Sequence, residues 1–302
     1  MRPIQLIGTG GTGTVLELNK EAIKLISKET RHVTVVSVIG PYRTGKSYLL
    51  NRLMGKSNGF SLGADVEAKT KGFWLWLGDY PGDKKRCLIL LDVEGLGDVK
   101  KGNASHDLKM FTLALLLSSV FIYNTMGKID ASALDGLHLA TKIVDELMTS
   151  EAKSEKKEFA RHFPHFIWAV RDHRLKLKLK GKEVTANEYL EDCLEPISST
   201  DDHEEFNKLR EAIRIFFPKR ECITFPIPVT DDDLLEDLEN VKEDDLSPKF
   251  KETSNTFVNF VLENAEPKKI KGTMLTGSAY AQMLEDFLLS IEKKKTKHQI
   301  HL

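Results

Sequence analysis

Residues 35–53 read VVSVIGPYRTGKSYLLNRL, and this stretch decides the fold class. Within it, residues 40–47 (GPYRTGKS) fit the phosphate-loop pattern of two glycines followed by Lys and Ser. A β-branched run precedes the first glycine and a leucine-rich helical pattern follows the lysine. In that context backbone NH groups converge on phosphate oxygens, Lys46 reaches the terminal phosphates and the Ser47 hydroxyl binds Mg2+. The stretch therefore predicts a nucleotide-binding strand, loop and helix.

The rest of the chain alternates short buried strands with helical patterns, which is typical of an α/β domain. We predict a P-loop NTPase-type, mostly parallel sheet flanked by helices. The predicted strands cover residues 32–39, 86–91, 119–123, 166–170 and, more weakly, 222–225. The predicted helices cover residues 47–54, 107–117, 131–148 and 207–216, and the polar residues 149–158 indicate a surface loop.

A second glycine run, residues 8–13 (GTGGTG), also satisfies the dinucleotide-binding pattern GxGxxG. Only four residues of plausible strand precede it, and β-branched residues follow where a helix should begin. A glycine-rich hairpin turn is therefore the better interpretation.

Composition limits the class of partner. The 302 residues are 41% hydrophobic, and 44 Lys and Arg balance 45 Asp and Glu, so nothing indicates a nucleic-acid surface. Three cysteines far apart favour a reducing compartment. The longest apolar run, residues 111–123, is too short to cross a bilayer, and the N-terminus lacks a signal-peptide core. We expect a soluble cytoplasmic protein.

The DxxG sequence at residues 92–95 (DVEG) follows a buried predicted strand. A carboxylate such as Asp92 beside a phosphate loop can hold Mg2+, and the NH of Gly95 can meet a γ-phosphate. Thr70, between the two motifs, is a candidate for a mobile hydroxyl that binds Mg2+ only with the γ-phosphate present. Taken alone, it would be an ordinary loop threonine.

No NKxD or TKxD sequence supplies the carboxylate that guanine recognition requires. Asp172, directly after the predicted strand FIWAV, is the best-placed alternative. Spacing makes a purely structural turn at Arg171 and Asp172 equally plausible.

The C-terminal third changes character. The acidic residues 231–246 carry apolar residues at helical spacing, which predicts a solvated helix with one packed face. Residues 267–272 look like a connector, and residues 279–291 predict one amphipathic helix. Because a single helix cannot form a domain, we interpret it as the start of a structure that continues beyond this chain.

Five motifs together resemble the guanylate-binding protein family, large GTPases of the dynamin superfamily. They are GPYRTGKSYLLNRL, GFSLGADVEAKTKGFWLW, LLDVEGLGDVKKGN, LLLSSVFIYNTMG and WAVRDHRLKL, and the resemblance runs from about residue 3 to residue 291. It implies a GTPase domain over residues 1–266, followed at 267–302 by a connector and the first helix of a helical stalk. It also implies interferon-induced innate immunity and a GTP-dependent homodimer of GTPase heads. Membrane contact would come only through parts absent from this chain.

The resemblance assigns roles to individual residues. Arg43 would be an arginine finger supplied in cis, Lys46, Thr70 and Glu94 would complete the catalytic set, and Asp172 would read guanine. Mg2+ would be held by Ser47, Thr70 and Asp92. The nucleotide contacts would be Gly40, Tyr42, Arg43, Thr44, Gly45, Lys46, Ser47, Tyr48, Leu62, Gly63, Asp92, Glu94, Gly95, Leu96, Arg171 and Asp172.

Three features depart from the family pattern. Ala68 stands where active relatives usually carry a water-positioning serine, two residues before Thr70, so we expect slower hydrolysis. The resemblance implies GDP as the product and leaves GMP open as a further product. The alternative function is a hydrolysis-impaired, nucleotide-gated interaction module. Residues 226–233 (PIPVTDDD) place three aspartates where a guanine-covering loop that contributes to dimers is expected. These would repel each other across a two-fold interface unless Lys or Arg paired with them. The family normally continues into a long helical stalk, of which we expect only the first helix here. The sequence is then either a truncated or a naturally short form.

Overall fold

The computed structural model describes residues 2–9, 15–56, 59–60, 71–96, 104–137, 163–197, 204–231, 234–235 and 241–299. The strands in chain order are β1 (Ile4–Thr9), β2 (Leu16–Leu18), β3 (His32–Ile39), β4 (Phe73–Asp79), β5 (Arg86–Val93), β6 (Val120–Met126), β7 (His165–Arg171), β8 (Lys178–Leu179), β9 (Lys182–Glu183), β10 (Arg220–Thr224), β11 (Lys269–Ile270) and β12 (Thr273–Met274). The helices are α1 (Lys20–Ser27), α2 (Lys46–Met54), α3 (Ala104–Leu117), α4 (Ala131–Asp135), α5 (Ala186–Cys193), α6 (Glu204–Phe216), α7 (Pro248–Asn264) and α8 (Gly277–Gln299).

Eight strands form one sheet in the order β10-β7-β6-β3-β5-β4-β1-β2. The neighbours from β10 to β5 are all parallel, whereas β4, β1 and β2 extend the sheet in antiparallel pairs. The predicted mostly parallel α/β sheet is therefore confirmed. Two short hairpins, β8–β9 and β11–β12, stand outside the main sheet.

Helices cover both faces of the sheet, which is why its central strands are almost continuously apolar. Along β3, Val33 and Val35 point into one core and Val36 and Val38 into the other, as the two-residue period of a strand requires. The first core includes side chains of α1, α3, α5, α6 and α8. The second includes side chains of α2 and α7.

Most predicted elements have their observed counterparts within a few residues. The strand predicted for residues 86–91 continues to Val93 and so includes Asp92. Thr9 at the end of β1 pairs antiparallel with Leu16 at the start of β2, as a hairpin requires, and residues 10–14 of the predicted glycine-rich turn lie outside the described residues. The last predicted helix is longer than expected, spanning Gly277–Gln299. Of the helix predicted for residues 131–148, Ala131–Asp135 is helical, and residues 138–148 lie outside the described part, as does the loop predicted at residues 149–158.

The helix predicted for residues 231–246 is wrong in its described C-terminal part. Residues 241–242 are not helical, and Glu243–Asp245 form a single 3-10 turn. Pro248 occupies the first turn of α7 and Ser247 caps that helix, with its hydroxyl accepting from the Phe250 NH. Because a residue before proline is disfavoured in helical conformation, the chain is extended there and a new helix begins.

The C-terminal helix α8 packs on the rest of the molecule. Tyr280 and Leu284 are completely buried in the first core. Further along, Glu292 forms an ion pair with Lys109 of α3. None of the helices within the described ranges combines the length and the apolarity that crossing a bilayer would require.

Candidate functional site

The phosphate loop connects the C-terminal end of β3 to the N-terminus of α2. Its glycines are required by the backbone, because Gly40 and Gly45 have φ values of 151° and 80°. A Cβ on Gly40 would lie 2.0 Å from the backbone oxygen of Asn124 on β6. The loop therefore lies against β6 at a distance that only glycine permits.

Side chains of the loop and of β6 hold it in this shape. The Thr44 hydroxyl donates to the Pro41 carbonyl at 2.9 Å, and the Asn124 amide donates to the Thr44 carbonyl at 2.7 Å. The Lys46 ammonium donates to the same Pro41 carbonyl at 3.0 Å. Burial lowers the pKa of Lys46 to about 8, although nearby Asp92 acts in the opposite direction. A phosphate group beside Lys46 would favour its charged form.

Two oxygen-bearing side chains meet at the beginning of α2. The Ser47 hydroxyl donates to Oδ2 of Asp92 at 2.7 Å. Asp92 is brought there by the parallel pairing of β5 with β3, in which it is the partner of Val38. A hydroxyl and a carboxylate are the hard oxygen ligands that Mg2+ prefers, so this donor set fits that ion. The third predicted ligand, Thr70, lies outside the described residues, as do Leu62, Gly63 and Ala68.

The DxxG loop lies directly against the phosphate loop. The Leu96 NH donates to the Gly40 carbonyl at 3.1 Å, and the Tyr42 NH donates to the Leu96 carbonyl at 3.3 Å. A Cβ on Gly95 would lie 2.7 Å from Cα of Tyr42. These contacts bring two motifs that are about fifty residues apart in sequence into one site.

Glu94 is buried between the DxxG loop and the beginning of β4. Its Oε2 accepts a hydrogen bond of 2.7 Å from the Gly72 NH, and the Glu94 NH donates to the Gly72 carbonyl at 2.9 Å. The Nε2 atom of His106 on α3 lies 3.5 Å from the same carboxylate oxygen. The Glu94 carboxylate is therefore fixed by contacts from two other elements.

Arg43 is exposed at the tip of the phosphate loop and has a φ of 62°. A non-glycine residue in this left-handed region is uncommon, and such conformations concentrate at functional sites. Its two neighbours in the loop, Tyr42 and Thr44, do not adopt a positive φ.

Arg171, at the end of β7, is buried in an aromatic cage. Its guanidinium carbon lies 5.4 Å from the ring centre of Tyr48, 5.1 Å from that of Phe225 and 5.6 Å from that of Phe250. Its Nη1 donates to the Gly45 carbonyl at 3.4 Å, and burial lowers its pKa. The guanidinium thus contacts the phosphate loop at Gly45, and the three rings make cation–π contacts with it.

Asp172 follows at the carboxyl end of β7 with a φ of 52°. It is partly buried, and this burial raises its pKa, whereas Arg171 and Arg174 act in the opposite direction. In open α/β sheets, ligands bind at the carboxyl ends of the strands, and Asp172 and the phosphate loop share that edge.

The structure thus brings most of the described candidates to one edge of the sheet. The sequence did not lead us to Asn124, which holds the phosphate loop, or to His106, which contacts Glu94. A signal for Asn124 existed, since it is the polar residue directly after the predicted strand at 119–123. His106 had none, because its contact with Glu94 depends on the packing of α3.

Comparison with known proteins places this site in context. A family model for the N-terminal domain of guanylate-binding protein matches residues 13–270. Human guanylate-binding protein 7 is 41% identical over 295 residues, covering 95% of this chain and 46% of the relative. Mouse guanylate-binding protein 6 is 40% identical over 283 residues (91% and 46%), and human guanylate-binding protein 2 is 42% identical over 276 residues (89% and 46%). The chain thus spans about half the length of these curated relatives.

Proposed function

The chain belongs to the guanylate-binding protein family, and from that premise we propose that it binds GTP and hydrolyses it in a Mg2+-dependent reaction. The observation that carries this proposal is the Ser47–Asp92 hydrogen bond of 2.7 Å beside a glycine-shaped phosphate loop. The proposal includes a GTPase domain over residues 1–266 and, at 267–302, a connector with the first stalk helix.

The phosphate loop would bind the β- and γ-phosphates through backbone NH groups at the beginning of α2. Lys46 would give up its contact with the Pro41 carbonyl and turn its ammonium to the phosphate oxygens. Because Lys46 is buried, little water competes for that charge, which strengthens the attraction.

Mg2+ would be held by Ser47, Thr70 and Asp92. When bound, the ion neutralises charge on the β- and γ-phosphate oxygens. The hydroxyl of Ser47 already contacts Asp92, so little rearrangement of these two side chains is needed.

Arg43 and Glu94 would act on the reacting groups. The Arg43 guanidinium would stabilise charge that develops on the phosphates, a role that contributes on the order of 10³ to 10⁵ in rate. Glu94 would orient the attacking water, with its carboxylate held by Gly72 and His106. The expected product is GDP, with GMP as the alternative that separation of the nucleotides would reveal.

Asp172 would select guanine by accepting hydrogen bonds from its N1–H and 2-amino groups. Arg171 would hold the phosphate loop in place through its hydrogen bond to the Gly45 carbonyl. The test is Asp172→Asn, with Asp192→Asn, an exposed aspartate of α5, as the matched control. Xanthine carries a carbonyl in place of the 2-amino group, and an Asn amide can donate to that oxygen.

We expect Asp172→Asn to lose at least about tenfold in GTP affinity and to gain affinity for xanthosine triphosphate. Fluorescence titration with labelled guanosine, xanthosine and adenosine triphosphates measures this. Unchanged nucleotide preference in Asp172→Asn would contradict the assignment of guanine recognition.

A second candidate function is a nucleotide-gated interaction module that binds GTP but turns it over negligibly. The specific observation that favours it is Ala68, which has no hydroxyl to position a water. We weigh the enzyme above it because Arg43, Lys46, Thr70 and Glu94 are all present. Tight GTP binding without turnover would decide for the module.

The remaining parts of the proposal concern setting. We place the protein in the cytoplasm, in interferon-induced innate immunity, as a homodimer of GTPase heads in the GTP state. Nucleic acid is not an expected partner.

A further inference from the structure

Residues 174–182 (RLKLKLKGK), which we call the basic hairpin, concentrate positive charge at one end of the sheet. They carry five cations and no acidic residue, in a chain whose net charge is -1. Strands β8 and β9 form the hairpin itself, and all five cationic residues are exposed. The charge is therefore presented to solvent rather than buried.

Within the chain this charge is little compensated. Lys178 lies 3.6 Å from Glu183, an exposed pair that contributes little to stability. Across the described ranges, Lys176, Lys180 and Lys182 have no ion pair. Leu175 is also 60% exposed, so the surface offers both apolar area and charge to a partner.

A concave surface adjoins the basic hairpin. It has a volume of about 500 Å³ and extends from the hairpin to the end of β10 and the first turn of α7. Thr224, Pro226 and Lys249 form its far side. The partner surface is thus a groove rather than a flat patch.

An acidic surface lies in the chain segment that leads into the same helix. Asp244 and Asp245 of the 3-10 turn, which we call the acidic turn, are exposed and have no ion pair in the described part of the chain. Asp245 precedes Lys249 by four residues. Residues 231–245 contain nine acidic residues and one lysine.

We propose that the basic hairpin of one copy binds the acidic turn of a second copy. A two-fold interface is self-complementary, so each copy would contribute one hairpin and one acidic turn, giving two equivalent contacts. This arrangement supplies the cations that the acidic segment needs if two heads are to associate without repulsion. The proposal rests on the proposed function for its biological context, because it identifies the surface through which the GTPase heads would pair.

The test uses the whole 302-residue chain and two charge-swap variants. The hairpin variant carries Lys176→Glu, Lys180→Glu and Lys182→Glu, and the acidic-turn variant carries Asp244→Lys and Asp245→Lys. Sedimentation velocity over a range of concentrations, with and without GTP, reports the dimer. Circular dichroism and labelled-nucleotide binding establish that each variant is folded.

We expect each variant alone to dimerise on the order of a hundredfold more weakly than the wild type, because like charges would face each other at both contacts. An equimolar mixture of the two should dimerise again, since opposite charges then meet at both contacts. Raising the salt concentration should weaken the wild-type dimer.

The matched control carries Lys20→Glu and Lys24→Glu on α1 and Lys28→Glu at its C-cap, and it changes the net charge by the same amount as the hairpin variant. These lysines are exposed and lie near the opposite edge of the sheet. The control should dimerise like the wild type. Because its basic hairpin and acidic turn are unchanged, it should do so without the acidic-turn variant, whereas the hairpin variant needs that partner.

Several results would overturn the proposal. They are a wild-type chain that stays monomeric at every concentration, swap variants that dimerise normally, or a mixture that stays monomeric. A hairpin variant that dimerises normally but loses binding to phosphatidylserine vesicles would instead identify a membrane surface. A wild-type chain that does not bind GTP would contradict the proposed function. A wild-type chain that binds GTP but stays monomeric would contradict only this pairing.

Discussion

The Glu94 carboxylate accepts a hydrogen bond of 2.7 Å from the backbone NH of Gly72. The bond joins the loop after β5 to the residue before β4, two positions after Thr70 in the sequence. A residue proposed to orient water therefore also fixes the end of the segment that carries the proposed Mg2+-binding threonine. Its two contributions can be separated by substitution.

We expect Glu94→Gln to keep the contact with Gly72 through its amide oxygen but to lose the charge that orients water. GTP turnover at saturation should fall on the order of a hundredfold, while GTP affinity changes within about threefold. Single-turnover kinetics and nucleotide titration measure the two quantities. Glu263→Gln, at an exposed position of α7, is the control, and turnover that Glu94→Gln leaves intact would remove Glu94 from the catalytic set.

Arg43 can be tested with two substitutions that differ in backbone cost. Arg43→Ala and Arg43→Gly both remove the guanidinium, so both should reduce turnover by about 10³ or more. Glycine adopts a φ of 62° freely, whereas alanine does not, so the alanine variant should be about 1 kcal/mol less stable than the glycine variant. Urea unfolding measures that difference. Equal turnover in all three proteins would contradict a role for the guanidinium.

Ala68→Ser introduces the hydroxyl that the family resemblance led us to expect at this position. The serine could hold the attacking water, so turnover should rise at least about tenfold, with nucleotide affinity unchanged. Ala64→Ser, in the same segment, is the matched control and should have no effect. If Ala68→Ser were no faster than the wild type, the missing hydroxyl would not be what limits this chain.

Lys268, in the connector before α8, gives a stability prediction with a defined pH dependence. It is buried, its ammonium donates to the Ser118 carbonyl at 2.8 Å, and burial lowers its pKa from 10.5 to about 7. Between pH 7 and pH 10.5 the unfolded chain therefore binds a proton that the folded chain does not, so this residue makes stability rise with pH.

The Lys268→Met variant lacks that titration. The unfolding free energy of the variant minus that of the wild type should be highest below about pH 7. At higher pH this difference should decrease by at most about 1.4 kcal/mol per pH unit. Urea unfolding at several pH values from 6 to 9 measures the difference. Lys269→Met, at the exposed neighbouring position, should show no such trend, and a pH-independent difference for Lys268→Met would contradict the predicted shift.

The sequence predicted the local parts of this structure best. The phosphate loop could be found because its glycines, Lys46 and Ser47 act through backbone geometry over eight consecutive residues. The central strands were equally accessible, because strands buried on both faces form continuous apolar runs. The antiparallel strand β4 and the helices α5 and α7 were not predicted. Local signals existed for both helices, because α5 begins with a capping box of Thr185 and Glu188 and α7 begins with Ser247 and Pro248.

The features that the sequence did not predict depend on contacts between distant segments. The cage around Arg171 uses Tyr48 from α2, Phe225 after β10 and Phe250 from α7, and no spacing rule connects these positions. The acidic segment illustrates a competing effect, because its helical periodicity was overridden where Pro248 begins a new helix.

The most direct test of the central claim is GTP turnover with Mg2+ at several protein concentrations, separating GTP, GDP and GMP. Lys46→Ala serves as the blank, because it removes the ammonium that would meet the terminal phosphates. We predict GDP formation that is absent in the blank and that rises per molecule with protein concentration. Tight guanine-nucleotide binding with turnover no greater than the blank would contradict the enzyme and leave the nucleotide-gated module.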